Sequence, residues 1–375
     1  MKTTIVCIFV CLLMILTTVV PTSATTSLEK TSHPQNMGNI LYVGGLGPNN
    51  YTKIQDAIND AAIGDTIFVY DDSSPYFEAV QIDRSISLLG EAKQTTIIDV
   101  RSIKNHSAVG ISADGVVVQG FTVQNSTYTD WTNIVAGIFI RADHVLIKDT
   151  IIKNNTIGIR IGGRVNFTLY SANHCRVEEN DIHNNDAGIS LENGNYSTIS
   201  HNTITSNVQG IDLQNCHSNL ITLNKIAENS GDGIFLSETT NNTILLNNIT
   251  ENDEGMFLFD SNKNSIQQNN IFNNKILNVG IFNILFISLR TKSNPFENTW
   301  ESNYWGQAHQ FPKPIVGFIF LLFPSVILSL LLQPLKLLQS LITGSGSYWV
   351  IPLGIPSIKF DWHPAQTPYD ILVKG

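Results

Sequence analysis

Asn202-Thr203-Ile204-Thr205-Ser206-Asn207-Val208-Gln209-Gly210-Ile211-Asp212-Leu213 is the stretch that decides the fold. It is one copy of a phrase, Asn-x-Ile and then Gly-[Ile/Met]-x-Leu, with a period of about 22 residues, in the range that marks solenoids and β-helices. The first half recurs at Asn180, Asn202, Asn224, Asn247 and Asn269, and the second at Gly188, Gly210, Gly233 and Gly255, with earlier relatives at Gly137 and Gly158. Each period carries three short aliphatic pulses, such as Ser197-Thr198-Ile199, Asn202-Thr203-Ile204 and Gly210-Ile211-Asp212-Leu213. The turns between them are too short for a helix, whereas strands of roughly four residues fit.

Three strands per period, each stacked on its equivalent one period later at about 4.8 Å, predict an all-β, three-faced parallel coil. The handedness rule for parallel crossovers makes it right-handed. In Gly-Ile-x-Leu the Ile and Leu face inward and x faces outward, so each rung buries several aliphatic side chains at about 1.5–3 kcal/mol apiece. One rung is unstable alone, and the stack is what folds. A second register, Asn155, Asn185, Asn207, Asn229 and Asn252, falls three or four residues before the glycine. Asn tolerates left-handed turns, and stacked amides bond from rung to rung, so these are read as ladders that shape the turns.

The start, Met1-Lys2, an apolar run over 5–20 and Thr22-Ser23-Ala24, has the three regions of a secretory signal peptide, with cleavage expected near Ala24. Losing Lys2 with residues 1–24 takes the formal charge from −9 to −10. An acidic chain is a poor partner for nucleic acid. Residues 25–39 read as a polar linker and 40–306 as the coil. Thr52-Lys53-Ile54-Gln55 reads as a capping box that opens a short helix with Ile54, Ala57, Ile58 and Ala61 on one face, placed to cover the first rung. Gly64-Asp65-Thr66 then turns into a strand over 67–70. After the leader only Cys175 and Cys216 remain, and register argues against a bridge: Cys175 aligns with Ser197 and Asn219, Cys216 with Gly194. They fall about two rungs apart, near 10 Å, beyond the roughly 7 Å that a disulfide allows between Cα atoms. Asn-x-Ser/Thr sequons at Asn50, Asn105, Asn125, Asn154, Asn166, Asn195, Asn241 and Asn248 fit a glycosylated surface protein.

The order Tyr51-Thr52-Lys53-Ile54-Gln55-Asp56-Ala57-Ile58, Gly64-Asp65-Thr66-Ile67, Ser85-Ile86-Ser87-Leu88-Leu89-Gly90-Glu91 and Thr96-Ile97-Ile98-Asp99 resembles the secreted right-handed β-helix proteins of archaea, grouped with NosD-like and pectin-lyase-like domains. The resemblance runs from about Ile40 to Gly306. Asn298-Thr299-Trp300 and Asn303-Tyr304-Trp305-Gly306 resemble a terminal rung of such proteins. Phe360-Asp361-Trp362-His363-Pro364 with Pro368-Tyr369-Asp370-Ile371 resembles a tail of methanogen members. The resemblance implies the fold and leaves the activity open. Its NosD side implies copper delivery, but His174, His201 and His217 share no register, and the mature chain keeps only Met37 and Met256 as thioethers. No soft-ligand cluster is visible, and no cofactor is expected.

The outward positions of Gly-Ile-x-Leu make a strip, Phe139, Arg160, Ser190, Asp212, Phe235 and Phe257, flanked by Arg141, Glu192, Gln214, Ser237 and Phe259. In β-helix polysaccharide lyases and hydrolases, which the chain resembles, substrate lies along such a strip beside carboxylates and a basic residue. Arg160, Glu192 and Asp212 are the candidate catalytic residues of that kind, and Phe235, Phe257 and Phe259 the candidates for stacking on sugar rings. The competing readings are isolated solvated charges, and phenylalanines lying under the C-terminal segment. The coil between Gly158 and Gly188 is about eight residues longer than its neighbours, placing an extra loop over 163–174 beside the strip. One carboxylate per rung falls short of the several oxygens a Ca²⁺ site needs, so binding without catalysis is the expectation. A polysaccharide lyase, hydrolase or epimerase is the alternative.

Residues 314–334 carry no charge, and 315–332 are almost wholly apolar, the minimum length of a membrane-spanning helix. Pro324 interrupts the run, so within the extension 307–375 the segment 315–342 reads as a kinked span or an in-leaflet hairpin, with an arm packed on the coil as the competitor. Residues 281–289 read as the last core strand. The expectation is an exported, cell-surface β-helix that binds carbohydrate or another envelope component and contacts membrane through its C-terminal segment. Oligomeric state is not read from the sequence.

Overall fold

In a computed structural model of the chain, the described residues are 38–128, 135–165, 168–286, 298–306, 313–324, 348–361 and 363–371. The leader and most of the linker lie outside them. The repeated aliphatics stack in columns: Ile182, Ile204, Ile226, Ile249 and Ile271 pair rung to rung on one face. Ile189, Ile211, Ile234 and Met256 do so on a second. Ile199, Ile221, Ile244 and Ile266 fill the third, which ends on Trp300. The aliphatic members of all three columns are 0% exposed. The three faces are sheets of 11, 8 and 12 strands among the described residues, parallel but for two antiparallel strands in the third.

The corners between faces follow one rule. A residue with positive φ, such as His201 (57°) or Ser206 (55°), turns the chain, and the asparagine after it points inward. Asn202 shows what that asparagine does: its backbone N and its Nδ2 each donate to Asn224 Oδ1 at 3.0 Å. Its Nδ2 also donates to Val177 O at 2.8 Å. The pattern repeats through Asn180, Asn224, Asn247 and Asn269 to Asn303. The Asn155-to-Asn252 register forms a second ladder as expected, but the left-handed turn falls on the residue before each, Asn154, Asn184, Ser206, Glu228 and Glu251, and not on the ladder asparagine. Asn219, Asn242, Asn264 and Asn298 form a third. Buried amides are affordable here because their donors and acceptors are used. Cys175 and Cys216 are buried free thiols, as register required. Burial pushes both up to about 12, so neither is a reactive thiolate.

The N-terminal helix, α1 (Ile54–Asp60), buries Ile54, Ala57 and Ile58 on the first rung. The capping box is corrected: the N-cap is Lys53, with no side-chain cap bond. Instead the Glu78 carboxylate, reaching from the next coil, accepts from Ile54 N at 2.8 Å and Gln55 N at 3.0 Å. A carboxylate at the positive end of a helix does the capping box's work and favours the dipole as well.

The C-terminal run is also corrected. Of the kinked span, in-leaflet hairpin and packed arm left open for 315–342, the described part is strand and not helix: Lys313–Pro324 pairs in parallel with Leu277–Phe286 and antiparallel with Tyr348–Asp361. Two influences favour strand here. The open edge of Leu277–Phe286 offers unpaired N–H and C=O groups, and the run is rich in β-branched and aromatic residues bounded by prolines. The 12-stranded sheet thus extends past the other two. Residues 325–347 lie outside the described residues. Among the described residues no helix is long and apolar enough to cross a membrane.

Candidate functional site

The outward strip exists in the expected register. Arg160 pairs with Phe139 on one side and Ser190 on the other. Ser190 pairs with Asp212, Asp212 with Phe235, and Phe235 with Phe257. Beside it run Glu192, Gln214, Ser237 and Phe259.

The long coil builds a wall over this strip. After Arg160 the chain passes Gly162 and Gly163, whose φ values of 68° and 93° favour glycine. A Cβ on Gly163 would lie 2.5 Å from Glu192 Oε2 and 2.7 Å from Arg160 Nη2, so no other residue fits against that pair without moving it. The strand Ile157–Val165 then folds back as an antiparallel hairpin with Thr168–Tyr170. Arg160 Nη2 donates to Arg164 O of this hairpin at 3.0 Å and lies 3.4 Å from Glu192 Oε2. The Tyr170 ring lies 5.6 Å from the Arg141 guanidinium, and the Phe139 ring lies 5.3 Å from Arg141 and 5.0 Å from Arg160. The wall leaves Arg160 only 2% exposed. Burial pulls its pKa down while Glu192 pulls it back, and a guanidinium stays charged through such a contest.

Asp212 is 8% exposed and accepts from Gln214 Nε2 at 2.8 Å. Burial, reinforced by the Glu192 charge and opposed by the Gln214 bond, pushes its carboxyl up to about 6. Asp232, on the next rung, is likewise pushed up to about 6 by burial and by the charges of Glu254 and Asp212. Among the described residues, three buried polar atoms of this region have no hydrogen-bond partner: Arg141 Nε, Arg160 Nη1 and Asp212 Oδ1. The strip thus holds two unused donors and one unused acceptor, shielded from solvent beside aromatic faces.

The structure thus brings Arg160 and Glu192 into contact and couples Asp212 to Glu192 through charge. Phe235 and Phe257 stack at 5.9 Å and 17°, and the described C-terminal strands extend the sheet beyond these rings in its plane instead of lying over them. The sequence reading missed Tyr170, which has no counterpart in other repeats, and Asp232, which precedes a repeat glycine. It also missed an exposed column: His144 stacks on His174 at 4.9 Å, and His174 on Tyr196 at 5.2 Å. Their shared signal is the positive-φ corner position. These rings lie face to face rather than converging on a point. Among the described residues no three His, Cys, Asp or Glu side chains are grouped to hold a metal ion.

A family model described as right handed beta helix region matches residues 136–298. No curated protein matches the chain. Among solved structures it is similar to the Dettilon tailspike protein gp208, at 16% identity and a TM-score of 0.48, over 72% of this chain and 59% of that one. It is similar to the A-module of Azotobacter vinelandii mannuronan C-5 epimerase AlgE4, at 12% and 0.41, over 67% and 82%. A third is pectate lyase Pel9A, at 15% and 0.42, over 72% and 74%. The chain thus spans less than two thirds of the tailspike's length. With the three stacked sheets, the match over residues 136–298 defines the fold as a right-handed parallel β-helix.

Proposed function

We propose that the protein is an exported cell-surface β-helix that binds carbohydrate, without transforming it, along the strip from Arg141 to Phe257. The observation that carries this reading is the trio of unpartnered buried atoms, Arg141 Nε, Arg160 Nη1 and Asp212 Oδ1. Each such orphan costs about 1–3 kcal/mol while it stays shielded, and a polyol, which both donates and accepts, relieves it once the side chains over it part. The Phe235–Phe257 stack supplies an apolar face on the same strip. Attachment to the envelope through the apolar segment 315–342 belongs to the same proposal. Its support is composition. The archaeal and NosD-like side of the resemblance adds copper delivery as an alternative, for which the described residues group no ligand set.

The test is glycan-array binding by the full mature chain, with and without Ca²⁺, beside Arg160→Ala and Asp212→Asn. Selective binding that weakens in both variants supports the reading, and binding indifferent to both overturns it. One observation favours catalysis as a second reading: an Asp212 carboxyl at about 6, in the field of Glu192, is poised for proton transfer near neutral pH. Unsaturated-uronate absorbance on incubation with acidic polysaccharides, lost in Arg160→Ala, decides for that reading.

A further inference from the structure

The coil sorts its own sequons. The corner rule sends one side chain outward and the next one, the ladder asparagine, inward. In Asn154-Asn155-Thr156 and Asn241-Asn242-Thr243 the sequon is laid on this corner so that its first asparagine is the outward residue and its second is the ladder member. Asn154 and Asn241 both have φ of 56° and are exposed. Among the described residues neither amide is spent on a hydrogen bond, while Asn155 and Asn242 are buried and bonded at 3.2 and 3.0 Å to the next rung.

Asn125 holds the same kind of corner, with φ of 68° before the buried Ser126, and differs in its bonding, whereas Asn50, Asn195 and Asn248 lie elsewhere. Asn50 Nδ2 donates to Gly44 O. Asn125 Nδ2 donates at 2.9 Å to the fully buried Asp99. Burial raises that carboxyl, but Arg101, Asn125 and Gln124 together hold it at about 2. A glycan on Asn125 would take away one of these donors. Asn195 Oδ1 accepts from His217 N at 2.8 Å, and Asn248 lies half-buried in a strand. Asn166 falls outside the described residues.

We propose that Asn154 and Asn241 are N-glycosylation sites that the finished fold accommodates, and that Asn50 and Asn125 are not. The inference rests on the export reading, since the modification needs a lipid-linked sugar donor on the far side of a membrane. In the step, Asn Nδ2 attacks the anomeric carbon of a lipid-phosphate-linked oligosaccharide. The C–N bond forms, the C–O bond to phosphate breaks with its electron pair, and the displaced amide proton goes to a base of the transferase. The two sites flank opposite corners of the sheet that bears the ligand strip, Asn154 just before Ile157–Val165 and Asn241 just after Asp232–Ser237.

The experiment is peptide mapping by mass spectrometry of the full protein from its native cells, reading the N-terminus and the sequon peptides in one run. Glycan mass on the Asn154 and Asn241 peptides, with unmodified Asn50 and Asn125, is the expected result. Thr156→Val and Thr243→Val, which keep both asparagines, should each remove one increment, and the wild-type map stands if a variant fails to accumulate. Unmodified Asn154 and Asn241 in a protein whose N-terminus begins after residue 24 overturns the inference and leaves export intact. Unmodified sites in a chain that retains residues 1–24 overturn both. Glycan on Asn125 in folded protein also overturns it.

Discussion

Asp361 stands where the next ladder asparagine would be: it accepts from Asn303 N at 2.9 Å and Asn303 Nδ2 at 3.2 Å, as Asn303 accepts from Asn269. With no further rung above it among the described residues, a carboxylate serves better than an amide, because its second oxygen takes Ser302 N at 3.0 Å and its first also takes Trp305 Nε1 at 3.1 Å. Asp361→Ala should strand these donors and cost about 3 kcal/mol or more. Asp361→Asn, which keeps one acceptor, should cost about half as much. Chemical denaturation of the three proteins checks the order; equal stability would mean that the ladder needs no terminator.

The same accounting applies inside the stack. Ile211 is 0% exposed and faces inward, whereas the neighbouring Asp212 faces the strip. Ile211→Asp should prevent folding by placing an unpaired charge in the core. Asp212→Ala should leave the fold intact. Similar melting of both variants would overturn the inward and outward assignment.

Asp212 also fixes a pH dependence. Its carboxyl is pushed up to about 6, so between the unfolded value near 4 and that figure the folded state holds more protons. Stability therefore falls as pH rises through this window, on the order of 3 kcal/mol for a shift of this size. Asp212→Asn should match wild type at pH 4 and exceed it at pH 7.5. Parallel stability curves for the two proteins would show that burial does not penalise the charge.

Gly163 tests the wall over the strip. Gly163→Val drives a side chain into Glu192 Oε2 and Arg160 Nη2 and is strained at φ 93°. Because the hairpin lies outside the coil, the cost should fall on ligand binding, at least tenfold in affinity, with far-UV circular dichroism unchanged. Unaltered binding would detach the hairpin from the site.

Much of the coil was legible because its cause is periodic. Ile182 through Ile271 repeat every 22 or 23 residues, as does the asparagine ladder from Asn185 to Asn252, and an interval is what a single sequence displays. The strip was legible for the same reason, since Arg160 and Asp212 hold the x position of the phrase. Glu78 as the helix cap, Tyr170 over Arg141 and the depth of Asp212 were not, because each depends on a neighbouring coil or an insertion without a repeat partner. The C-terminal error had another source: an apolar run without alternation reads as helix or strand alike, and the open edge of Leu277–Phe286 that selects strand is a tertiary fact.

That edge also refines the test of membrane attachment. Ending the chain at Gly306 would remove Asp361 and Tyr369, whose N and OH meet Asn270 Oδ1 and Ser302 O at 2.8 Å, so the cap would be lost along with the apolar run. Pro324 and Tyr348 are partners at the far end of their hairpin, which permits a cleaner cut. Residues 325–347 replaced by a short Gly-Asn turn leave both strands and the cap in place. If the run 315–342 attaches the protein to lipid, the full mature chain should sediment with membranes through a carbonate wash, because apolar burial at about 25 cal/mol per Å² is indifferent to pH and salt. The shortened chain should move to the supernatant with its melting temperature unchanged. Full-length protein that stays soluble without detergent would sink the membrane reading, and a shortened chain that still sediments would move the attachment to another part of the molecule.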